Sequence, residues 1–324
     1  MKPLLFKVVI EKLYHILRTA RPRQWLKNLS IFAAPIFAGR LLLGDTLSLS
    51  VKAFLAFCAI SSAAYFLNDI IDAPHDRLHP IKKNRAIASG KLSIPLATII
   101  ALVLIAGSIF YSFKYLDNFF TLTLITYIVL QLAYSFYFRN VIILDSLIVA
   151  SGFVIRVFAG GFASHTSVSS WLILTTIGVS MLLAFGKRRS EKTILTKFLG
   201  SVKAVETRKT LLHYPDTLLD SMISMSAAYT ILSYSLFAFV TSPIGVGRRF
   251  SVFLPEVIKS PKLMMLTIPI VIYGIARYLY VIYEKGGEAE SPERVLLGDL
   301  PLLISVVLWG LVTVGIIFLV PDLV

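Results

Sequence analysis

The chain has 324 residues, 56% of them hydrophobic, with 32 Lys and Arg against 18 Asp and Glu and a formal charge of +14. A mean hydropathy of +0.79 excludes an ordinary water-soluble domain, and a single cysteine, Cys58, excludes an intrachain disulfide and a thiolate metal site. No soluble domain carries the positive excess, so it speaks for basic loops against anionic lipid and for an anionic substrate, and against nucleic acid.

Residues 2–20 place Leu4, Leu5, Val8, Val9, Leu13, Ile16 and Leu17 on a helical period, with Lys2, Lys7, Lys12 and Arg18 between them. This predicts an amphipathic helix lying on the membrane surface, and the interspersed charges argue against a signal peptide. The basic N-terminal segment, 1–27, runs on through Arg21-Pro22-Arg23-Gln24-Trp25-Leu26-Lys27, where Trp25 and the cations suit a membrane interface. Residues 28–324 read as one transmembrane domain. The expectation is an all-α membrane protein with nine spans, at 28–44, 51–67, 93–113, 118–138, 142–163, 168–186, 218–240, 262–283 and 299–320. The first span is short and interrupted by Pro35 and Gly39. Lys and Arg crowd the segments 1–27, 68–92 and 187–217, all on the N-terminal side of the bilayer; the other side holds Arg40, Lys52, Lys114 and a few cations between 248 and 262. The positive-inside rule then places the N-terminus and the polar loops in the cytoplasm.

The second expected span runs into Asn68-Asp69-Ile70-Ile71-Asp72-Ala73-Pro74-His75-Asp76. On a helix, residues four apart share a face, so Asn68, Asp72 and Asp76 form a column with Asp69 beside it. Crowded carboxylates repel, and a bound cation removes the conflict. Oxygen donors suit a hard ion such as Mg²⁺, which takes one or two carboxylates together with substrate phosphate oxygens. A solvated acidic helix end is the alternative. Pro74 predicts a kink or a restart of the helix here. The basic run that follows includes Arg77, Lys82, Lys83 and Arg85. His75 and His79 are four apart, a spacing compatible with zinc, but Pro80 and the adjoining cations suit phosphate better.

The next strongly polar stretch is Gly186-Lys187-Arg188-Arg189-Ser190-Glu191-Lys192. Membrane orientation accounts for most of its cations. Lys187, Arg188 and Glu191 differ because they sit at the end of a span, within reach of a ligand held at the Asp column. Arg156 is intramembrane and therefore needs a partner inside the bundle. Asp145 is too distant on the same helix, and a structural or lipid role is expected for Arg156. Arg277 reads as interfacial. The stretch 284–299 is mixed in charge and rich in turns, with Asp299 its one candidate for chemistry.

The spacing N-D-x-x-D-x-x-x-D over Asn68–Asp76 resembles the first Asp-rich motif of the UbiA superfamily of intramembrane prenyltransferases. Where most of those enzymes carry a second Asp-rich motif, this chain has Gly186-Lys187-Arg188, which implies fewer metal ions and more anionic substrate. Together with Arg21–Asn28, Lys82-Lys83, Arg85, Gln131-Leu132-Ala133-Tyr134 and Ile155-Arg156 with Ala159-Gly160-Gly161, this resembles the polyprenyl-phosphate phosphoribosyltransferase branch. The resemblance implies a UbiA-type bundle in the bacterial cytoplasmic (inner) membrane. It also implies transfer of 5-phosphoribosyl from 5-phosphoribosyl diphosphate (PRPP) to polyprenyl phosphate, decaprenyl phosphate in the typifying case, toward an arabinose donor for cell-envelope glycan. In that reading Asn68, Asp72 and Asp76 hold Mg²⁺ and diphosphate, with Asp69 behind them or as a further ligand. Lys82, Lys83 and Arg85 close over the diphosphate. Lys187 and Arg188 take the 5-phosphate, Glu191 a ribose hydroxyl, and Lys27 with Gln24 the acceptor phosphate. Asp72, Asp76, Lys82 and Lys187 are the expected catalytic residues. A prenyltransferase with an aromatic acceptor and a lipid or metabolite transporter are the alternatives. Clustering of acidic and basic groups at one face, rather than at the midplane, favours an enzyme over a transporter.

Overall fold

The computed structural model describes residues 2–78, 82–198, 214–241, 262–284 and 292–319, without the side chains of 2–9 and 194–198. Expectations attached to His79, Pro80 and the cations between 199 and 213 lie outside the described residues.

The described chain is all helical. A surface helix α1 (Lys2–Ala20) leads into a 3-10 segment (Pro22–Phe32) and a short α2 (Ala33–Phe37). Then follow α3 (Thr46–Leu78), α4 (Ile94–Tyr115), α5 (Asn118–Phe136), α6 (Leu144–Ala163), α7 (Ser170–Phe198), α8 (Asp216–Thr241), α9 (Ile268–Glu284, entered through a 3-10 turn at Leu263–Thr267), α10 (Pro292–Gly298) and α11 (Leu300–Val314, continued by a π-helical turn Gly315–Leu319). Among the described residues, eight helices are long and apolar enough to cross a membrane, and they coincide with the second to ninth expected spans.

The first expected span, 28–44, differs from that expectation. It is not a continuous helix. The 3-10 segment starts at Arg21, whose φ of 54° is left-handed, and α2 gives out at Gly39, with φ of 66°. A 3-10 helix has poorer hydrogen-bond geometry than an α-helix and needs outside support over such a length. The support comes from α6. Gly160 lies so close to this segment that a Cβ there would sit 1.8 Å from the Ile31 carbonyl oxygen. Arg156, one turn earlier on α6, is buried and donates to Asn28 Oδ1 (2.7 Å), the Gly152 carbonyl (2.6 Å) and Tyr127 Oη (3.1 Å). Its guanidinium also lies over the Tyr127 ring, 4.7 Å from the centroid, an arrangement that stabilises a desolvated cation. Asn28 in turn donates to Cys58 Sγ and Ser61 Oγ at 3.3 Å. Arg156 thus has the structural role expected of it, and its partner is an amide from a segment 128 residues away.

The helix does not restart at Pro74: α3 runs unbroken from Thr46 to Leu78 through it. Packing supplies the reason. Ala73, one residue before the proline, is buried against Phe66, Ala86, Ile87 and Leu92. That cluster keeps the end of α3 helical past the proline and folds the loop after it back onto the helix.

Candidate active site

The site grows out of that folded-back loop. Ile87 and Leu92 are buried, and backbone bonds Arg85 N to Lys82 O, Ser89 N to Arg85 O and Leu92 N to Ala86 O, each 2.9 Å, set its path. Arg85 is thereby carried to the acidic face of α3. Its Nη1 donates to Asp76 Oδ2 at 2.7 Å and to Asp69 Oδ1 at 3.1 Å. Arg21, at the left-handed corner before the 3-10 segment, donates to the same Asp69 oxygen at 2.5 Å and lies over Tyr65. A left-handed non-glycine residue costs about 1–2 kcal/mol; here it aims a guanidinium at a buried carboxylate. Asp72 pairs with Arg139, which a short 3-10 turn (Phe138–Asn140) presents from the end of α5. Asn68 Oδ1 accepts from Ser135 Oγ at 3.1 Å. The acidic face of α3 thus divides: Asp69 and Asp76 share Arg85, whereas Asn68 and Asp72 turn toward α5, and each of the three carboxylates in the column faces an arginine or shares one.

The donor set of this column is all oxygen, which matches the chemistry of a hard divalent cation. Among the described residues, no three His, Cys, Asp or Glu side chains converge as a closed metal cage. What fits is a partial shell, completed by the oxygens of a bound phosphate. Lys82 and Lys83 form a 3-10 turn (Lys82–Asn84) beside the column, Lys83 exposed and Lys82 half-buried.

The second expected cluster divides. Gly186 lets α7 approach α9 closely: a Cβ on it would come within 2.7 Å of Tyr278 Oη and Ile282 Cδ1. The helix end that follows carries Lys187, half-buried and 3.8 Å from Glu191 Oε1. Arg188 points inward. It is 3% exposed, with Nε 2.6 Å from Asp145 Oδ2, Nη1 donating to Glu191 at 2.8 Å and Nη2 to Tyr134 Oη at 2.9 Å. Asp145 also accepts from Tyr214 Oη at 2.5 Å, and Tyr214 Oη accepts from Ile143 N–H at 2.6 Å. Burial and the donated bond to Asp145 push the Tyr214 phenol up to about 12. Arg189 and Lys192 pair with Asp216 and Asp220 at the start of α8, a purely structural use.

A third element was not expected. Glu293, on α10, is buried. Gln24 Nε2 donates to its Oε1, and Lys27 Nζ lies 3.7 Å from its Oε2. Tyr65 Oη donates to Gln24 Oε1 at 3.4 Å. Burial pulls the Lys27 ammonium below its usual range; Glu293 offsets this, and Arg156 and Arg21 add to it. Among the described residues, Lys27 and Glu293 are the only charged ones lining a cavity of about 480 Å³. Its walls are apolar, with Phe153, Leu182, Ile275 and Trp309 among them, and it runs between α6, α7, α8, α9 and α11. The signal for Glu293 was present in Ser291-Pro292-Glu293, a proline that opens a helix with an acid in its first turn. Asp299, the one residue of this region singled out from sequence, forms a two-pronged pair with Arg277 at 2.9 Å for both bonds and caps α11.

These features define a class: a polytopic helical membrane protein with an acidic and arginine-rich polar site adjoining an apolar cavity. The chain belongs to the UbiA prenyltransferase family, whose model matches residues 32–290. It is 32% identical to a decaprenyl-phosphate phosphoribosyltransferase of Corynebacterium glutamicum, over 94% of this chain and 87% of that protein. It is equally 32% identical to the enzyme of that name from Mycolicibacterium smegmatis, over 91% and 89%. In three dimensions it is similar to a UbiA homolog from Archaeoglobus fulgidus bound to GPP and Mg²⁺, with a TM-score of 0.67 at 17% identity over 94% of this chain and 99% of that one. That likeness establishes the fold.

Proposed function

We propose that this protein transfers the 5-phosphoribosyl group of PRPP to a polyprenyl phosphate, in the cytoplasmic membrane and with the polar site facing the cytoplasm. The observation that carries the reading is a juxtaposition along one segment. Arg21, at its start, meets the Asp column, and Lys27, six residues on, meets the apolar cavity. At the ~2 Å rise of a 3-10 helix the two lie about 12 Å apart, enough for a sugar phosphate to bridge them. The names of the corynebacterial and mycobacterial relatives support the same substrates.

In this reading the lipid tail occupies the apolar cavity, and Lys27 with Gln24 holds the acceptor phosphate at its mouth. Asn68, Asp72 and Asp76 would hold Mg²⁺, which would neutralise charge on the diphosphate. Arg85, Lys82 and Lys83 bind the diphosphate from the loop side, and Asp69 keeps Arg21 and Arg85 oriented. Lys187 takes the 5-phosphate. Arg188, already committed to Asp145 and Tyr134, positions Glu191 for a ribose hydroxyl. An acceptor phosphate oxygen attacks the anomeric carbon, the carbon–oxygen bond to diphosphate breaks, and its electron pair leaves with diphosphate. The anomeric centre inverts. The acceptor is ionised beforehand, so no side chain has to remove a proton. Cations aimed at the departing charge lower the barrier because they are ordered before it develops.

The test is transfer of label from PRPP into the lipid phase by purified protein with polyprenyl phosphate and Mg²⁺. Wild type should transfer, EDTA should stop it, and Asp72→Ala should lower it by about 10²-fold or more. Lys187→Ala should chiefly raise the donor KM. Transfer instead from a prenyl diphosphate to an aromatic acceptor would overturn the reading.

A further inference from the structure

We infer that Glu293 is a resident stand-in for the acceptor's phosphate and holds down the affinity of the acceptor site for it by competing for Lys27 and Gln24. The inference rests on the acceptor role of Lys27 and Gln24 proposed above. Those two side chains reach toward one anion, the Glu293 carboxylate. Gln24 gives it an N–H and Lys27 stands 3.7 Å from its other oxygen. Among the described residues, Glu293 is also the one acidic residue lining the apolar cavity. A lipid phosphate seated with its tail in that cavity needs the same two donors in the same place.

A carboxylate and a phosphate cannot both lie against a single buried ammonium without repelling each other, and repulsion is severe where water is scarce. The carboxylate must therefore swing away as the phosphate arrives. Charge is conserved in the exchange. Without lipid, Lys27 keeps a counter-ion, so the site is not left holding a bare buried cation. With a neutral lipid alcohol nothing displaces Glu293, and Lys27 stays paired to it. The competition therefore falls on the phosphate-bearing lipid alone and narrows its advantage over an uncharged one. The affinity of the site for the phosphate-bearing lipid is set by that exchange.

The experiment is equilibrium binding of labelled farnesyl phosphate and of farnesol to the full chain in detergent, comparing wild type with Glu293→Gln, Glu293→Asp and Lys27→Met. Glu293→Gln should bind farnesyl phosphate about tenfold more tightly, the scale of one charge-assisted hydrogen bond, with farnesol binding unchanged. The gain should vanish in the Lys27→Met background, because the two residues are then uncoupled. Glu293→Asp, whose shorter arm withdraws from Lys27, should shift in the same direction by less, and it carries the test alone if Glu293→Gln does not fold. Unchanged or weaker farnesyl phosphate binding by these variants, while wild type still prefers farnesyl phosphate to farnesol, would overturn the role of Glu293 only. Wild type with no preference for farnesyl phosphate over farnesol would overturn the acceptor reading itself.

Discussion

Arg188 and Tyr214 illustrate what a buried polar group costs when its partner is removed. Arg188 is the cation that compensates Asp145, and both are nearly inaccessible to water. Among the described residues, Arg188→Ala leaves the buried Asp145 with the Tyr214 and Ser146 hydroxyls as its side-chain partners. Breaking one side of a buried pair costs about 3–5 kcal/mol, so Arg188→Ala should lower the detergent melting temperature sharply. A surface control such as Lys91→Ala should not. Tyr214 makes a prediction about pH. Its folded pKa of about 12 exceeds the ordinary tyrosine value of about 10. The folded state therefore holds this proton more tightly than the unfolded chain. The stabilisation is full below about pH 10 and is lost as the pH rises toward 12. Tyr214→Phe, which cannot titrate, should be less stable than wild type at pH 8, and the gap should narrow between pH 10 and 12 in melting curves taken across that range.

Among elements, the 3-10 segment is the one that positions the site, and its hold on α6 depends on a missing side chain. Gly160→Ala would drive a methyl group into the Ile31 carbonyl, whereas at Gly107, on α4, a Cβ meets nothing within 4 Å. Gly160→Ala should thus lower the melting temperature and weaken acceptor use through displacement of Lys27. Gly107→Ala should be neutral or slightly stabilising, since alanine favours a helix by up to about 1 kcal/mol. This contrast also marks what the sequence could and could not convey. Spans two to nine were legible because each apolar run carries its own length signal. Asn68, Asp69, Asp72 and Asp76 were legible because helical spacing is a local property. The broken first span was not, because its support comes from Gly160 and Arg156, more than a hundred residues away. Nor was the unbroken helix through Pro74, which depends on the loop packed against Ala73. Arg21, Arg139 and Glu293 were missed for the same reason: each meets its partner only through tertiary contact. Arg188 was found as a polar residue at a span end, but its inward direction follows from the buried Asp145 and not from anything adjacent in the chain.

For the whole molecule, the distribution of charge makes a claim about sidedness that can be checked independently of catalysis. The Asp column, the loop at 82–92 and the end of α7 share one end of the bundle, and Lys114 at the end of α4 lies at the other. The cation excess at the site end predicts that this end faces the cytoplasm. The chain has one cysteine, Cys58, and it is buried, so the natural background for thiol labelling is low. In a Cys58→Ser background, Lys114→Cys and Lys91→Cys each place one thiol at an exposed position on opposite ends. A membrane-impermeant maleimide added to spheroplasts should label Lys114→Cys and spare Lys91→Cys. On inside-out vesicles the pattern should reverse. Labelling of Lys91→Cys in spheroplasts would put the polar site on the outer face, away from a cytoplasmic pool of sugar diphosphate, and would contradict the proposed donor whatever the lipid proved to be.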